Sequence, residues 1–290
     1  MPQGVVVRSL AGFYDVMDHD KRLTCRARGV FRKQGVQVFV GDRVEYVPLD
    51  ALEGTIRRVL SRNTLLVRPP VANVTQALLV FSLVSPPFHS GLLDRALITS
   101  LAAGLHPIVT LSKCDLVDIS LAESHAQPYR QAGFPVLLVS ARTGQGVAKL
   151  MDLLWGELTV FVGPSGAGKS SLGNALSPLL GLRMGEVSEK SQQGKHTTRH
   201  VELFSLAADT FVVDAPGFSQ LDIEVKIAQL SSYFPDFAPF AEGCAFRGCR
   251  HMAEVDCGVK QAVAAGALAS SRYDSYCSMY RELQDRPSCR

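Results

Sequence analysis

The spacing of apolar residues changes character twice along the chain. Up to about residue 68 they alternate with polar residues in short runs, VVVRSL, FYDVMD, RLTCRARGVF, DRVEYVPL and GTIRRVL, punctuated by Gly12, Gly29, Gly35, Gly41 and Gly54. A period of two puts every second side chain on one face of a strand, and glycines between runs mark turns. Five short strands in so few residues predict a small Greek-key barrel of the OB-fold type, a pattern an SH3-like barrel would share.

From residue 69 the runs become continuous. QALLVFSLV, HPIVTLS, PVLLVS, LTVFVG and TFVVDAPG are apolar throughout, as strands buried on both faces of a parallel sheet must be. Between them LLDRALITSLAAG, VAKLMDLLWGE and a stretch from Gly168 to about Leu180 have helical spacing, and VELFSL alternates as a strand does. The pattern predicts an α/β domain with a mainly parallel sheet over residues 69–220. Beyond residue 221 the strands stop. IAQLSSYF, GVKQAVAAGALAS and RYDSYCSMYRELQ predict helices in a third segment, 221–290.

The phosphate-binding chemistry is the most specific signal. Gly163, Pro164, Ser165, Gly166, Ala167, Gly168, Lys169 and Ser170 fit G-x-x-x-x-G-K-[ST], between the strand LTVFV and the helix SSLGNALSPLL that Ser171 continues. Glycines let backbone N–H groups converge on phosphate oxygens at a helix N-terminus. Lys169 would reach the β- and γ-phosphates, and the Ser170 hydroxyl would ligate Mg²⁺.

The remaining nucleotide motifs are out of their ordinary order. Ser112-Lys113-Cys114-Asp115, a form of N-K-x-D, precedes the phosphate loop by about 50 residues and ends the strand HPIVTLS. Asp115 could accept the N1–H and 2-amino donors of guanine, a pair adenine lacks. Ser140 and Ala141, ending PVLLVS, resemble the accessory S-A motif whose backbone meets the guanine oxygen. Downstream, Asp214-Ala215-Pro216-Gly217 matches D-x-x-G, with Asp214 toward Mg²⁺ and the Gly217 N–H toward the γ-phosphate. Gly194-Lys195-His196-Thr197-Thr198 lies between as a polar loop of the kind that gives Mg²⁺ a threonine. The order is that of a circularly permuted GTPase, in which the D-x-x-G loop leads straight into the C-terminal segment. Phe218 stands where Ras-like proteins carry the water-orienting Gln, which leaves His196 as the nearest polar group for that task.

Charge and cysteine content add two further features. The net charge is +3, but residues 1–68 hold 12 Lys and Arg against 7 acidic residues, so the excess lies on the predicted barrel. Either a nucleic-acid partner or a solvated basic face would account for it. Among the 7 cysteines, Cys244, Cys249 and Cys257 crowd around His251. Three thiolates and an imidazole suit one tetrahedral structural Zn²⁺. Cys25, Cys114, Cys277 and Cys289 fall outside this pattern. No apolar run has the length of a membrane span, and MPQGVVVRSLAGFYDV alternates like a strand instead of forming a signal peptide, which predicts a protein of the cytoplasm, or of an organelle whose targeting peptide is missing from this sequence.

GPSGAGKSSLGNAL, GEVSEK, GKHTTRHVELF and DAPGFSQL together resemble the ribosome small subunit-dependent GTPase A family, and RNTLLVRPPVANVTQALLVFS is similar to its barrel-to-GTPase connection. The resemblance implies an N-terminal OB-fold, a permuted GTPase domain and a C-terminal zinc domain. It also implies a monomer that binds GTP and GDP, meets the small ribosomal subunit and its rRNA, and assists late subunit maturation while the subunit stimulates hydrolysis. It points to His196 as the catalytic residue and to Thr198 as the Mg²⁺ ligand of its loop. Ser112 and Ala215 depart from the family's usual Asn or Thr and Thr. The rival readings are an ATP-using P-loop enzyme, against which Asp115 argues, and an RNA-binding module that uses GTP as a conformational ligand.

Overall fold

The computed structural model describes residues 1–19, 21–29, 31, 35–67, 70–177, 201–214 and 223–286. The first segment is a closed barrel of β1 (Gln3–Leu10), β2 (Phe13–Asp18), β3 (Lys21–Ala27), β4 (Arg43–Pro48) and β5 (Glu53–Val59). Strand order is β1-β2-β3-β5-β4, with β4 pairing back onto β1. All pairs are antiparallel except β3 with β5, the OB-type arrangement expected. Ala11 and Gly12 both take positive φ between the paired Leu10 and Phe13, a two-residue turn whose twist matches that of the strands. The alternation resolves as predicted. Val6, Val16, Leu23, Cys25, Val44, Tyr46 and Ile56 fill the interior. Register shifts between Val6 and Arg8 and between Glu45 and Tyr46 add the bends that closure needs.

At the barrel's exit Arg62 forks onto the fully buried Asp42, Nε to Oδ1 at 2.6 Å and Nη2 to Oδ2 at 2.8 Å. A hairpin of β6 (Leu65–Val67) and β7 (Pro70–Ala72) follows. The continuous runs did not announce these two short strands.

The chain forms two compact units, residues 1–78, 146–162 and 169–219 in one, and residues 79–145, 163–168 and 220–290 in the other. Strand β8 (Gln76–Ser82) contributes its first three residues to the first and its last four to the second. In the first unit β11 (Leu158–Val162) runs parallel to β13 (Thr210–Asp214), and β12 (Leu203–Ala207) pairs antiparallel to β13. In the second, β9 (His106–Ser112) is parallel to β10 (Val136–Val139). Every residue of β11, and all but the first of β8 and β9, is buried, which explains their unbroken apolarity.

Helices α1 (Ser90–Ala102), α3 (Val147–Leu154) and α4 (Lys169–Leu176) fall where the spacing puts them. Residues 178–180, to which the sequence carries the last of these, lie outside the described residues. Helix α2 (Ile119–Gln131) was not foreseen, because ISLAESHAQPYRQ is polar and carries Pro128. In the C-terminal segment the helix expected from IAQLSSYF is a 3-10 helix, Ile227–Tyr233, and GVKQAVAAGALAS is helical only over α5 (Gly258–Ala264) before α6 (Ser270–Asp285). Gly266 breaks it, with φ at 70°. Among the described residues no helix is long and apolar enough to cross a membrane.

The C-terminal segment closes over α1. Ile98 joins Leu230, Phe234, Phe237, Tyr276 and Met279 in one apolar cluster. Arg272, 1% exposed, lies within it, forked onto Asp236 at 2.9 and 3.0 Å and paired with the fully buried Asp94 of α1. The ring of Phe234 lies 4.7 Å below the guanidinium. Burial works against the charge on Arg272, but the two carboxylates outweigh it and raise its pKa. Removing one partner of a buried charge group leaves the others without compensation. Arg272→Ala should therefore cost about 3–5 kcal/mol in chemical denaturation. Asp94→Asn, which keeps shape and removes one charge, should cost less.

Candidate functional site

The phosphate loop is shaped by the strand before it. β11 delivers Gly163 so close to β8 that a Cβ would sit 2.0 Å from the Val80 carbonyl oxygen, and φ is +144°. No side chain fits there. Gly166 and Gly168 also hold positive φ, at +78° and +97°, so that the loop curls before Lys169 opens α4 with Ser170 and Ser171. Pro164 and Ser165 form the outer part of the loop, and Ala167 is fully buried.

Ser112 and Lys113, from the end of β9, grip this loop from the side. The Ser112 hydroxyl donates to the Ala167 carbonyl at 2.6 Å. Lys113 adopts the left-handed conformation, φ 60°, and its ammonium donates to the carbonyls of Gly166 at 2.9 Å and of Ser85. The usual Asn at position 112 offers an amide. Here a hydroxyl holds the loop by a single bond, at a site only 5% exposed.

Asp115 follows on a short 3-10 turn, Cys114–Leu116. Ser140, at the end of β10, donates to its carboxylate and accepts from the Thr143 N–H at 3.1 Å. The Ser140 hydroxyl first, and then the guanidinium of Arg142, hold the Asp115 carboxyl below its ordinary range, so it is ionised at neutral pH. Ala141, half-buried, lies between these two contacts. The ends of parallel strands β9 and β10 thus place Ser112, Lys113, Asp115 and Ser140 beside Gly163–Gly168, where open α/β sheets bind ligands. Asp214 ends β13, but its side chain lies outside the described residues, as do His196, Thr198, Ala215, Gly217 and Phe218.

The second cluster is the Cys/His set. The ligand atoms of Cys244, Cys249, His251 and Cys257 all lie within 4.8 Å of one another. Sγ of Cys244 is 3.9 Å from Sγ of Cys257 and 3.6 Å from Nδ1 of His251, which is 3.3 Å from Sγ of Cys257. A tetrahedron with metal–sulfur bonds of about 2.3 Å has edges of about 3.8 Å, so the set fits one metal ion. The surrounding backbone is arranged for it. His251 sits at φ 56°, and its carbonyl and that of Arg250 accept the hydroxyls of Tyr273 and Tyr276 at 2.7 and 2.6 Å. Burial opposes a charge on Cys244, yet the N–H groups of Gly258 and Val259 at the start of α5 bring its pKa below the ordinary thiol value. Gly258 is required there, since a Cβ would meet the Phe240 carbonyl oxygen at 2.1 Å.

Residues 59–224 match the RsgA GTPase family and residues 3–56 the RsgA N-terminal domain. The chain belongs to the RsgA GTPase family. It is 46% identical over 290 residues to a Geobacillus thermodenitrificans protein named small ribosomal subunit biogenesis GTPase RsgA, and 43% identical over 295 residues to the Bacillus subtilis protein of that name, with 99% of each chain covered. Among solved structures it superposes on YloQ, described as a circularly permuted GTPase, with a TM-score of 0.82 and 38% identity over 100% of this chain and 97% of that one. YjeQ from Thermotoga maritima gives 0.81 and 34%, over 99% of both.

As an RsgA GTPase, the chain hydrolyses GTP on a site whose base motif precedes its phosphate loop. Arg142 and the tyrosines at 273 and 276 did not emerge from sequence reasoning. Arg142 lies two residues past Ser140, and the tyrosines stand three apart on α6, but neither spacing has a meaning until the partners are folded against them. The contact at Gly163 can be tested directly. Gly163→Ala should lower stability by about 1–3 kcal/mol, the cost of a forced backbone conformation, and weaken GTP binding at least tenfold by calorimetry. Wild-type affinity in that variant would mean that the loop tolerates displacement from β8.

Proposed function

We propose that this chain is a GTPase that binds the small ribosomal subunit, assists its late maturation and hydrolyses GTP faster when bound to it. The observation that carries the proposal is full-length identity above 40% to relatives named for small-subunit biogenesis, combined with a carboxylate, Asp115, held ionised beside the phosphate loop. In this reading the segments are 1–68, a barrel that meets rRNA through its basic surface, 69–220, the GTPase domain, and 221–290, a zinc module. The protein acts as a monomer in the cytoplasm.

Asp115 takes the N1–H and 2-amino donors of guanine, with Lys113 over the base plane and Ala141 toward the guanine oxygen. The N–H groups of Gly163–Ser171 hold the phosphates, Lys169 reaches the β- and γ-oxygens, and Gly217 senses the γ-phosphate. Ser170, Thr198 and Asp214 would hold Mg²⁺, which when bound would supply charge neutralisation at the phosphates. His196 accepts a hydrogen bond from the attacking water when the subunit is bound, so no arginine from the partner is needed.

GTP turnover with and without purified small subunits tests this reading. Subunits should raise turnover of GTP and leave ATP unused. His196→Ala should keep GTP and subunit binding while losing roughly 10²-fold of the stimulated rate. Stimulation equal to wild type in that variant would remove His196 from the water-positioning role.

The fit of the Cys/His set supports one structural Zn²⁺ per chain, held by Cys244, Cys249, His251 and Cys257. Elemental analysis should find one equivalent. Cys249→Ser should release it and expose residues 244–286 to proteolysis without abolishing nucleotide binding. Freshly purified protein without zinc would refute the assignment.

A further inference from the structure

The reading of Asp115 as the guanine receptor leaves one contact unexplained, and the following inference rests on that reading. Arg142 directs Nη2 and Nε to Oδ2 of Asp115, at 2.6 and 3.0 Å. Two adjacent, coplanar N–H donors are also what guanine presents along its N1–H and 2-amino edge. We propose that Arg142 is an internal competitor for guanine, which occupies its receptor carboxylate and must leave when the base enters.

The count of donors makes the two partners exclusive. A carboxylate has about four acceptor positions. Asp115 already takes the Ser140 hydroxyl, its own backbone N–H and two bonds from Arg142. Guanine needs two. Ser140 is not the one to yield, being 1% exposed and fixed through Thr143. The Arg142 side chain is 72% exposed and so free to swing into solvent, whereas that of Asp115 is 10% exposed and stays. Base binding thus exchanges one two-donor partner for another, and the same side chain can return as the base departs. The carboxylate is never stripped of partners in either direction, which lowers guanine affinity and eases product release.

The test is GDP affinity by calorimetry at low and high salt. An exposed ion pair contributes enough to shift a binding constant by roughly two- to five-fold. Arg142→Ala should bind GDP tighter than wild type by that factor at low ionic strength, mainly through slower dissociation, and the difference should shrink in high salt as the competing pair is screened. Arg142→Lys should fall between. In an Asp115→Asn background with xanthosine diphosphate, Arg142→Ala should change nothing, because the carboxylate that couples the two positions is gone. A melting temperature equal to wild type verifies that the exposed substitution leaves the fold intact. Equal GDP binding by Arg142→Ala at low salt overturns the proposal, and weaker binding overturns it and assigns Arg142 a contact with the bound nucleotide. If Asp115→Asn itself leaves GDP affinity unchanged, the base-receptor reading fails first, and the competitor role fails with it.

Discussion

The hydroxyl of Ser112 ties the end of one strand to the backbone of a residue 55 positions later, and the rest of the candidate site is arranged around that tie. Its 2.6 Å bond to the Ala167 carbonyl fixes the height of the phosphate loop against β9. Lys113 then reaches across to Gly166, and Asp115 is carried forward on the following turn. The distance between Asp115 and the glycine-rich loop is set by neighbours in the sheet, not by chain order. That spacing is therefore the same whichever motif is synthesised first. Permutation is tolerated because parallel strands need only their neighbours and a crossover on the correct side.

The two sites use backbone in similar ways. Gly163 and Gly258 each stand where a Cβ would meet a carbonyl oxygen at 2.0–2.1 Å, and each lies at or just before a helix start whose N–H groups suit an anionic partner. In the proposed function the partner at Gly163 is phosphate. At Gly258 it is a cysteine sulfur, whose pKa falls despite burial. Close backbone approach lets a helix N-terminus act as a donor array with no long cationic side chain intervening.

Legibility in the sequence followed the physics of each element. The barrel strands were readable because one face is wet, so alternation survives, and the sheet strands because neither face is, so β11 reads as LTVFV without interruption. Helix α2 was not. Its exposed face dominates ISLAESHAQPYRQ, and Ala122, Ala126 and Tyr129 are too few to show a stripe. Motif residues such as Lys169 and Asp115 were legible because their chemistry forces local spacing. Arg142, Asp42 and Arg272 were not, because each is defined by a partner 20 or more residues away. A charged residue looks alike in sequence whether it is solvated or sealed in a core.

The pair formed by Arg272 and Asp94 links residues 178 positions apart. During synthesis α1 leaves the ribosome long before its counter-charge exists, and an ionised carboxylate cannot enter an apolar cluster alone. The face of α1 that carries Asp94 must stay hydrated until α6 is in place to meet it. Burial of α1 is thereby coupled to the docking of α6, so the two helices, though far apart in the chain, enter the core as one event.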